Sequence, residues 1–298
     1  MQDKTSEERY AKPEESRLNP EPGTDAVVRF YETHPINEQQ ILHDLARDSI
    51  ALEGLTEDVL QRYDQDHFGG LEAVDVLAAR AGIDGASHVL DVCSGMGGPA
   101  RYLASRLGCR VTGLDITLSR HQSAIRLTEL VGLQHLVDFR HGSALAMPFA
   151  DASFDVAIGQ EAWAHVPDKR QLIAECARVV KPGGRIAFTD IMQGERLTPA
   201  AAARVGRDMA FAGFETLGGY ARLLEGNGCT VVERADLTAQ WAEILVQRLA
   251  MYRELRETTA ARFGADHFRN WDDTYAFFVG LFAGGQLAGG RLVARRDA

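Results

Sequence analysis

The chain is short of cysteine, of positive charge and of long apolar runs, and each shortage excludes a class of protein. Four cysteines stand among 298 residues (Cys93, Cys109, Cys176 and Cys229), with no close pairing and no histidine cluster beside them. They read as reduced, mostly buried thiols, so neither a disulfide framework nor a zinc or other metal site is expected. Lys and Arg number 32 against 42 Asp and Glu, a formal net charge of −10. That balance argues against a broad nucleic-acid footprint, which needs cations to neutralise phosphates, although an acidic chain can still carry a local basic patch. No apolar run reaches membrane-spanning length, and the charged opening Met1–Arg9 has no signal-peptide pattern. The expectation is a cytoplasmic protein that binds neither nucleic acid nor membrane.

What is present suits a large core. With 45% hydrophobic residues, a chain of this length can bury one large core, or a core plus a small cap. Residues 1–24 are polar and rich in Pro and Glu, as in a disordered tail. Residues 25–70 turn helical, with Ile41, Leu42, Leu45, Ile50, Leu52 and Leu55 at helical spacings, and read as a helical cap or lid. From residue 71 to 298 strand and helix alternate, with strands near 88–92, 110–115, 136–140, 154–159, 184–190 and 229–235 and a last one at 291–295. The fold class is therefore α/β with a doubly wound sheet. Two stretches exceed what a connection needs, at about 193–214 and 238–285. The second holds apolar and aromatic side chains at helical spacing, Leu245, Leu249, Tyr252 and Leu255, and a further aromatic run, Trp271–Phe282. Long ordered inserts are commonly functional, and these are expected to wall a substrate chamber. Extra packing helices, or the contact of a homodimer, are the plainer uses.

The densest signal is His88-Val-Leu-Asp-Val-Cys-Ser-Gly-Met-Gly-Gly-Pro-Ala100, a buried strand, a glycine turn and a helix start. Gly95 and Gly97 let backbone amides approach a ligand that a Cβ would obstruct. Asp91 sits at the strand end, where a carboxylate is costly unless it finds a partner. Asp115, at the end of the next strand and 20 residues after Gly95, is placed for ribose hydroxyls. Gly95-x-Gly97-x-x-Ala100 also satisfies a relaxed dinucleotide fingerprint, so an NAD-dependent enzyme is a competing reading at this point. An Asp four residues before the first turn glycine better suits a cofactor with a positive charge and no pyrophosphate. Downstream, Met147-Pro-Phe-Ala-Asp-Ala-Ser-Phe-Asp155 and Arg178-Val-Val-Lys-Pro-Gly-Gly184 each precede a predicted strand.

In that order and at those separations the four segments, spanning roughly residues 70–192, resemble the class I S-adenosylmethionine-dependent methyltransferases. The resemblance implies a Rossmann-like seven-stranded sheet whose last strand is antiparallel, and S-adenosylmethionine as cofactor. It places Asp91, Ser94, Gly95 and Gly97 on the methionine side, Asp115 on the ribose, and Ile116 beside the adenine. Ser143, with Ala144 next to it, stands where an Asp is common near the adenine amino group. The turn also departs from the usual Gly-x-Gly, since Cys93-Ser94-Gly95 has lost its first glycine. Cys93 is accordingly expected not to need a positive φ.

After the fourth strand comes Gln160-Glu-Ala-Trp-Ala-His-Val-Pro-Asp168. This run is similar to small-molecule enzymes of the sarcosine/dimethylglycine N-methyltransferase type, and to enzymes methylating natural-product hydroxyls or prenyl-type carbons. It lacks the Asn/Asp-Pro-Pro-aromatic run of nucleobase amino methyltransferases. By that resemblance Gln160 contacts the cofactor, and His165 is the foremost base, because an imidazole titrates near neutral pH. Glu161 is the second candidate base and Trp163 a substrate contact. The cluster Tyr63-Asp-Gln-Asp-His67-Phe-Gly-Gly70 would lie across the open side, with Tyr63 and His67 reaching substrate and Gly69 and Gly70 permitting lid motion. Tyr31, His34 and Pro35 belong to the same lid. A helix ending in a glycine cap, with His67 merely structural, is the plainer alternative. Arg29, Arg196 and Arg207 are available for a substrate carboxylate. The acceptor is expected to be a small molecule, an amine nitrogen first, an oxygen or carbon next. A cofactor-binding protein without catalysis is the remote alternative.

Overall fold

The structure is a computed structural model that describes residues 24–32, 34, 36–64, 67–254 and 256–298. The expected tail, but for Thr24, lies outside these residues, as do Pro35 and Leu255. Four helices precede the sheet: α1 (Thr24–Glu32), α2 (Glu38–Arg47), α3 (Glu57–Leu60) and α4 (Gly70–Ala81). Then follow β1 (His88–Val92), α5 (Gly98–Leu107), β2 (Arg110–Asp115), α6 (Leu118–Leu130), β3 (Val137–His141) and β4 (Phe154–Gln160). The second half comprises α7 (Lys169–Val179), β5 (Val180–Gln193), α8 (Pro199–Met209), α9 (Leu217–Gly226), β6 (Cys229–Asp236), α10 (Thr238–Glu254), α11 (Arg256–Phe263), α12 (Ala265–Ala283) and β7 (Leu287–Arg296).

The strands form one sheet of order β3-β2-β1-β4-β5-β7-β6. Strands β1 to β5 are parallel, and β7 runs antiparallel between β5 and β6. This is the Rossmann-like methyltransferase sheet expected from the sequence. Alternation along each strand feeds two apolar layers. Val89, Val111 and Val156 face Val74, Leu77 and Ala124 on one side. Leu90, Phe154 and Phe188 face Leu172, Trp163 and Tyr220 on the other. Chain order reverses between β1 and β4, so their carboxyl ends open the crevice where doubly wound folds bind ligands.

Strand β5 begins earlier than the sequence predicts. Its partner β4 pairs Phe154 with Val180 and then Val156 with Arg185, so Lys181-Pro-Gly-Gly184 is taken up as a bulge. Gly183 supplies the left-handed turn there, with φ of 80°. The 238–285 insert carries three helices where the sequence pattern suggested two, and Gly264, at φ 92°, separates α11 from α12.

Two smaller cores stand outside the sheet. Ile41, Leu45, Leu55 and Leu60 of the cap close over Met96 of the glycine turn and Leu127 of α6. Phe68, Val205, Trp241, Leu245, Phe278 and Phe282 join the inserts to Ile191 of β5. Polar anchors fix the cap further. Glu38 accepts from Ser123 at 2.8 Å and pairs with Arg126, tying α2 to α6. Arg101 of α5, wholly buried, pairs with Glu57 at 3.1 Å and with Asp64, and donates to the Met96 carbonyl at 2.7 Å. Burial pushes the Glu57 carboxyl up to about 8, against the pull of Arg101. Two carboxylates thus share one guanidinium at the base of the cap.

Candidate active site

The glycine turn is built tightly. The N–H groups of Cys93 and Ser94 both donate to the Leu114 carbonyl, at 2.8 and 3.0 Å, which latches the end of β1 onto β2. That geometry puts Cys93 at φ 66°, correcting the sequence expectation for this position. Both amides can reach one carbonyl only if the chain turns left-handed, and a non-glycine residue then carries a strain of about 1–2 kcal/mol. Glu161 and Ala210, at φ 50° and 54°, are two more such residues, and both flank the same crevice. Non-glycine strain gathers at functional sites. Gly97, at φ 80°, starts α5, and a Cβ there would stand 2.5 Å from the Phe139 ring. Gly95, by contrast, faces open space.

Asp115 uses each carboxylate oxygen once, accepting from Gly95 N and from Thr117 N, both at 2.8 Å. Each oxygen keeps a lone pair for another donor. Asp91, 4% exposed, has an oxygen without a partner. Burial, and then the charge of Asp115, push its pKa to about 7. Ser94 Oγ and both amide atoms of Gln160 are also buried without partners. Unmet buried polar atoms are rare and costly. Four such atoms on three side chains at the carboxyl ends of β1 and β4, around a glycine facing open space, fit a polar ligand with a cation and hydrogen-bonding groups. S-adenosylmethionine meets that description. The adenine side is less exposed to such a test. Ile116 is half-buried with its carbonyl accepting from His141 Nε2 at 2.9 Å, Ser143 Oγ accepts from Leu145 N at 3.1 Å, and Ala144 is buried in the core.

After β4 the chain makes a 3-10 turn, Trp163–His165. Trp163 does not line the crevice, which corrects its reading as a substrate contact. It is 0% exposed, stacks on Phe188 at 4.1 Å and donates to the Val92 carbonyl at 3.3 Å. Only a glycine at position 159 leaves room for its indole. Asp190 braces the turn from below, accepting from Ala164 N at 3.1 Å and from the Tyr220 hydroxyl at 2.7 Å.

His165 is buried and bound at both nitrogens. Nδ1 lies 3.1 Å from the Ala210 carbonyl, which can only accept, so Nδ1 carries the proton. Nε2, 3.0 Å from the Tyr31 hydroxyl, therefore accepts from it. Burial lowers the ring's pKa to about 4. Tyr31 belongs to α1, so this bond joins the cap to the turn after β4. Phe211, on the loop after α8, packs against the same imidazole at 4.8 Å.

Glu161 shows the opposite electrostatics. Burial raises its pKa to about 7, although it accepts from Thr189 Oγ1 at 2.6 Å and from Phe68 N at 2.8 Å. The second bond pins the 67–70 segment to β4 and β5. His67 is itself buried, its Nε2 donating to the Gly70 carbonyl at 2.9 Å and its own carbonyl accepting from Arg248 at 2.7 Å. These bonds hold the segment at the start of α4, with Gly69 and Gly70 both at positive φ. Tyr63 lies apart from the crevice, its hydroxyl donating to Asp48 at 2.8 Å on the outside of the cap. Arg29, Arg196 and Arg207 are exposed. The structure thus brings together Asp91, Ser94, Gly95, Asp115, Gln160, Glu161 and His165. Sequence reasoning gave Tyr31 no role beyond the lid and did not reach Arg120, whose guanidinium lies 4.9 Å from the Tyr31 ring centre. No local pattern marks either residue.

Comparison with known proteins agrees with this geometry. The family described as "Methyltransferase domain" matches residues 90–188. A glycine/sarcosine/dimethylglycine N-methyltransferase of Actinopolyspora halophila is 30% identical over 223 residues, 74% of this chain and 39% of that protein. The chain thus spans well under two thirds of that relative's length. Among solved structures, phosphoethanolamine N-methyltransferase 2 of Haemonchus contortus superposes with a TM-score of 0.77 over 93% of this chain and 60% of its own, at 19% identity. Geranyl diphosphate C-methyltransferase of Streptomyces coelicolor gives 0.68 over 94% and 99%, at 16% identity. At such identities these two speak for the fold alone. Residues 90–188 match a methyltransferase domain, and the chain is similar to the class I S-adenosylmethionine-dependent methyltransferases.

Proposed function

We propose that the protein transfers a methyl group from S-adenosylmethionine to a small-molecule acceptor, with an amine nitrogen as the first acceptor to test. The observation that carries this reading is the set of partnerless polar atoms on Asp91, Ser94 and Gln160 beside the Tyr31–His165 bond. The cofactor, when bound, supplies an electrophilic methyl on a positively charged sulfur. Asp91 offers a carboxylate to an ammonium, Asp115 two free lone pairs to ribose hydroxyls, and Gln160 an unspent amide. The chain's remaining task is to orient the acceptor, exclude water and receive a proton.

The roles of the two candidate bases follow from their surroundings. His165, with both nitrogens bonded and its basicity depressed, is a poor store for a proton at neutral pH. It holds Tyr31 in place by accepting its hydroxyl hydrogen. Glu161, titrating near 7, matches the pH at which general-base transfer is efficient. A neutral amine needs orientation above all. An oxygen or carbon acceptor would lean on Glu161, whose raised pKa favours that second reading. The four free cysteines fit a cytoplasmic, reducing location.

The experiment is release of S-adenosylhomocysteine from S-adenosylmethionine across glycine, sarcosine, dimethylglycine, other small amines, phenols and prenylated acceptors. Turnover with one class supports the reading and names the atom. Tight binding of S-adenosylhomocysteine with no turnover on any class would favour a cofactor-binding protein without catalysis.

A further inference from the structure

Two arginines are deeply buried near the cap, and they differ in one respect. Arg101 has a partner at each of its three nitrogens, Glu57, the Met96 carbonyl and Asp64. Arg120, on the first turn of α6, is 6% exposed, and its Nη2 has no partner. No carboxylate among the described residues forms an ion pair with it. Its guanidinium lies over the face of the Tyr31 ring, and its charge acts on Asp115, already engaged by two backbone amides. Withdrawing a guanidinium from water without a counter-charge is unfavourable unless something else supplies the acceptor atoms.

The position says what that something is. Tyr31 meets Arg120 with the face of its ring and His165 with its hydroxyl, so one side chain of the cap touches both. The methionine side of the cofactor belongs to β1, at Asp91, Ser94 and Gly95, and the ribose to Asp115. The cofactor's ammonium and sulfonium are cations to which a guanidinium gives nothing, and its one carboxylate shares a carbon with the ammonium assigned to Asp91 on β1. We propose that Arg120 binds an anionic oxygen group, a carboxylate or a phosphate, carried by the methyl acceptor. This rests on the methyltransferase reading and narrows its acceptor class: the nucleophile lies toward Tyr31, and the anion is held by the planar fork of Arg120. A chain with a net charge of −10 needs such a local cation to admit an anionic substrate.

The test compares wild type, R120K and R120Q. S-adenosylhomocysteine affinity is measured by calorimetry. Thermal unfolding is then followed, with and without that ligand, in acetate, inorganic phosphate or chloride at matched ionic strength. The proposal expects one oxyanion to raise the wild-type Tm above the chloride control. R120K should keep part of that rise and R120Q none, with S-adenosylhomocysteine binding unchanged in both. Acetate as the effective ion identifies a carboxylate acceptor, phosphate a phosphorylated one. With an active acceptor in hand, R120Q should raise KM roughly 10- to 100-fold, as expected for lost hydrogen bonds to a charged group, and leave kcat nearly untouched. Equal responses of wild type and R120Q to both anions would overturn the proposal. So would weaker S-adenosylhomocysteine binding in the variants, which would assign the free donors to the cofactor. Failure of wild type to bind S-adenosylhomocysteine would overturn the methyltransferase reading instead, while the anion measurements made without it still decide the role of Arg120.

Discussion

The clearest handle on the cofactor site is the proton of Asp91. Burial and the neighbouring Asp115 place its pKa at about 7, far above an ordinary aspartate. Only the ionised form can pair with the ammonium of a methionine moiety, so binding of S-adenosylhomocysteine must release the proton that the free protein holds. At pH 6 about one-tenth of the carboxyl is ionised and at pH 7.5 about three-quarters, so affinity should rise about eightfold across that interval, about 1.2 kcal/mol. The sign is fixed, because higher pH favours binding until Asp91 is fully ionised, and affinity then levels off. Calorimetry in buffers of different ionisation enthalpy should find close to one proton released per site at pH 6 and far fewer at pH 7.5. D91N should bind more weakly and lose the pH dependence. S-adenosylhomocysteine is the right probe, since its sulfur is neutral and leaves Glu161 undisturbed. An affinity that is flat with pH, or an unchanged slope in D91N, would refute the assignment of Asp91 to a cationic ligand.

Glu161 and His165 separate by pH profile. If Glu161 receives the proton, kcat/KM should climb as pH rises through about 7 and flatten above, and E161Q should remove that limb along with most of the turnover. H165Q should lower turnover with little effect on S-adenosylhomocysteine affinity and leave the limb in place, because an imidazole with a pKa of about 4 is already neutral there. Gly97→Ala should cost about 3 kcal/mol in urea unfolding, from left-handed strain together with the clash on Phe139. Replacing Arg101 by Met should cost about 3–5 kcal/mol by the same assay, since it strands Glu57 and Asp64 in the interior.

The parts of this molecule that were legible in its sequence are the parts encoded by neighbours in the chain. Val89, Leu90 and Val92 announce a buried strand, Gly95 and Gly97 a turn, and Asp115 the end of the next strand, because each depends on spacing that a linear pattern preserves. The aromatic insert was legible as ordered helix for the same reason, though not as three helices, because the first helical run divides between α10 and α11. Trp163 shows the limit. In sequence it stands two residues before His165 and invites a shared role, yet the 3-10 turn points the indole down onto Phe188 and the imidazole up toward Tyr31. Cys93 shows another. Its left-handed backbone is imposed by the Leu114 carbonyl, a partner 21 residues away that local steric rules cannot anticipate.

Arg101 and Arg120 carry the same point into function. In the sequence both are arginines in the first turns of helices that follow a strand, one after β1 and one after β2. The fold buries both, and the cap then treats them oppositely. The α3 segment brings Glu57 and Asp64 onto Arg101, forming ion pairs with it and closing the cap over the glycine turn. A Cβ at Gly98 would stand 2.7 Å from the Asp64 carbonyl, which measures how closely that closure seats. Helix α1 brings only an aromatic face onto Arg120. A tyrosine ring covers a guanidinium without satisfying its donors, so the same lid that pairs one cation leaves the other without an ion pair among the described residues. If that charge were structural, the cap would have every reason to supply a carboxylate to it, as it does to Arg101. Its absence, beside a His165 that has spent both nitrogens and a Glu161 still able to take a proton, divides the work. In the proposed reading the cap side recognises the acceptor, the carboxyl ends of β1 and β2 hold the cofactor, and the turn after β4, hydrogen-bonded to Tyr31, lies between them.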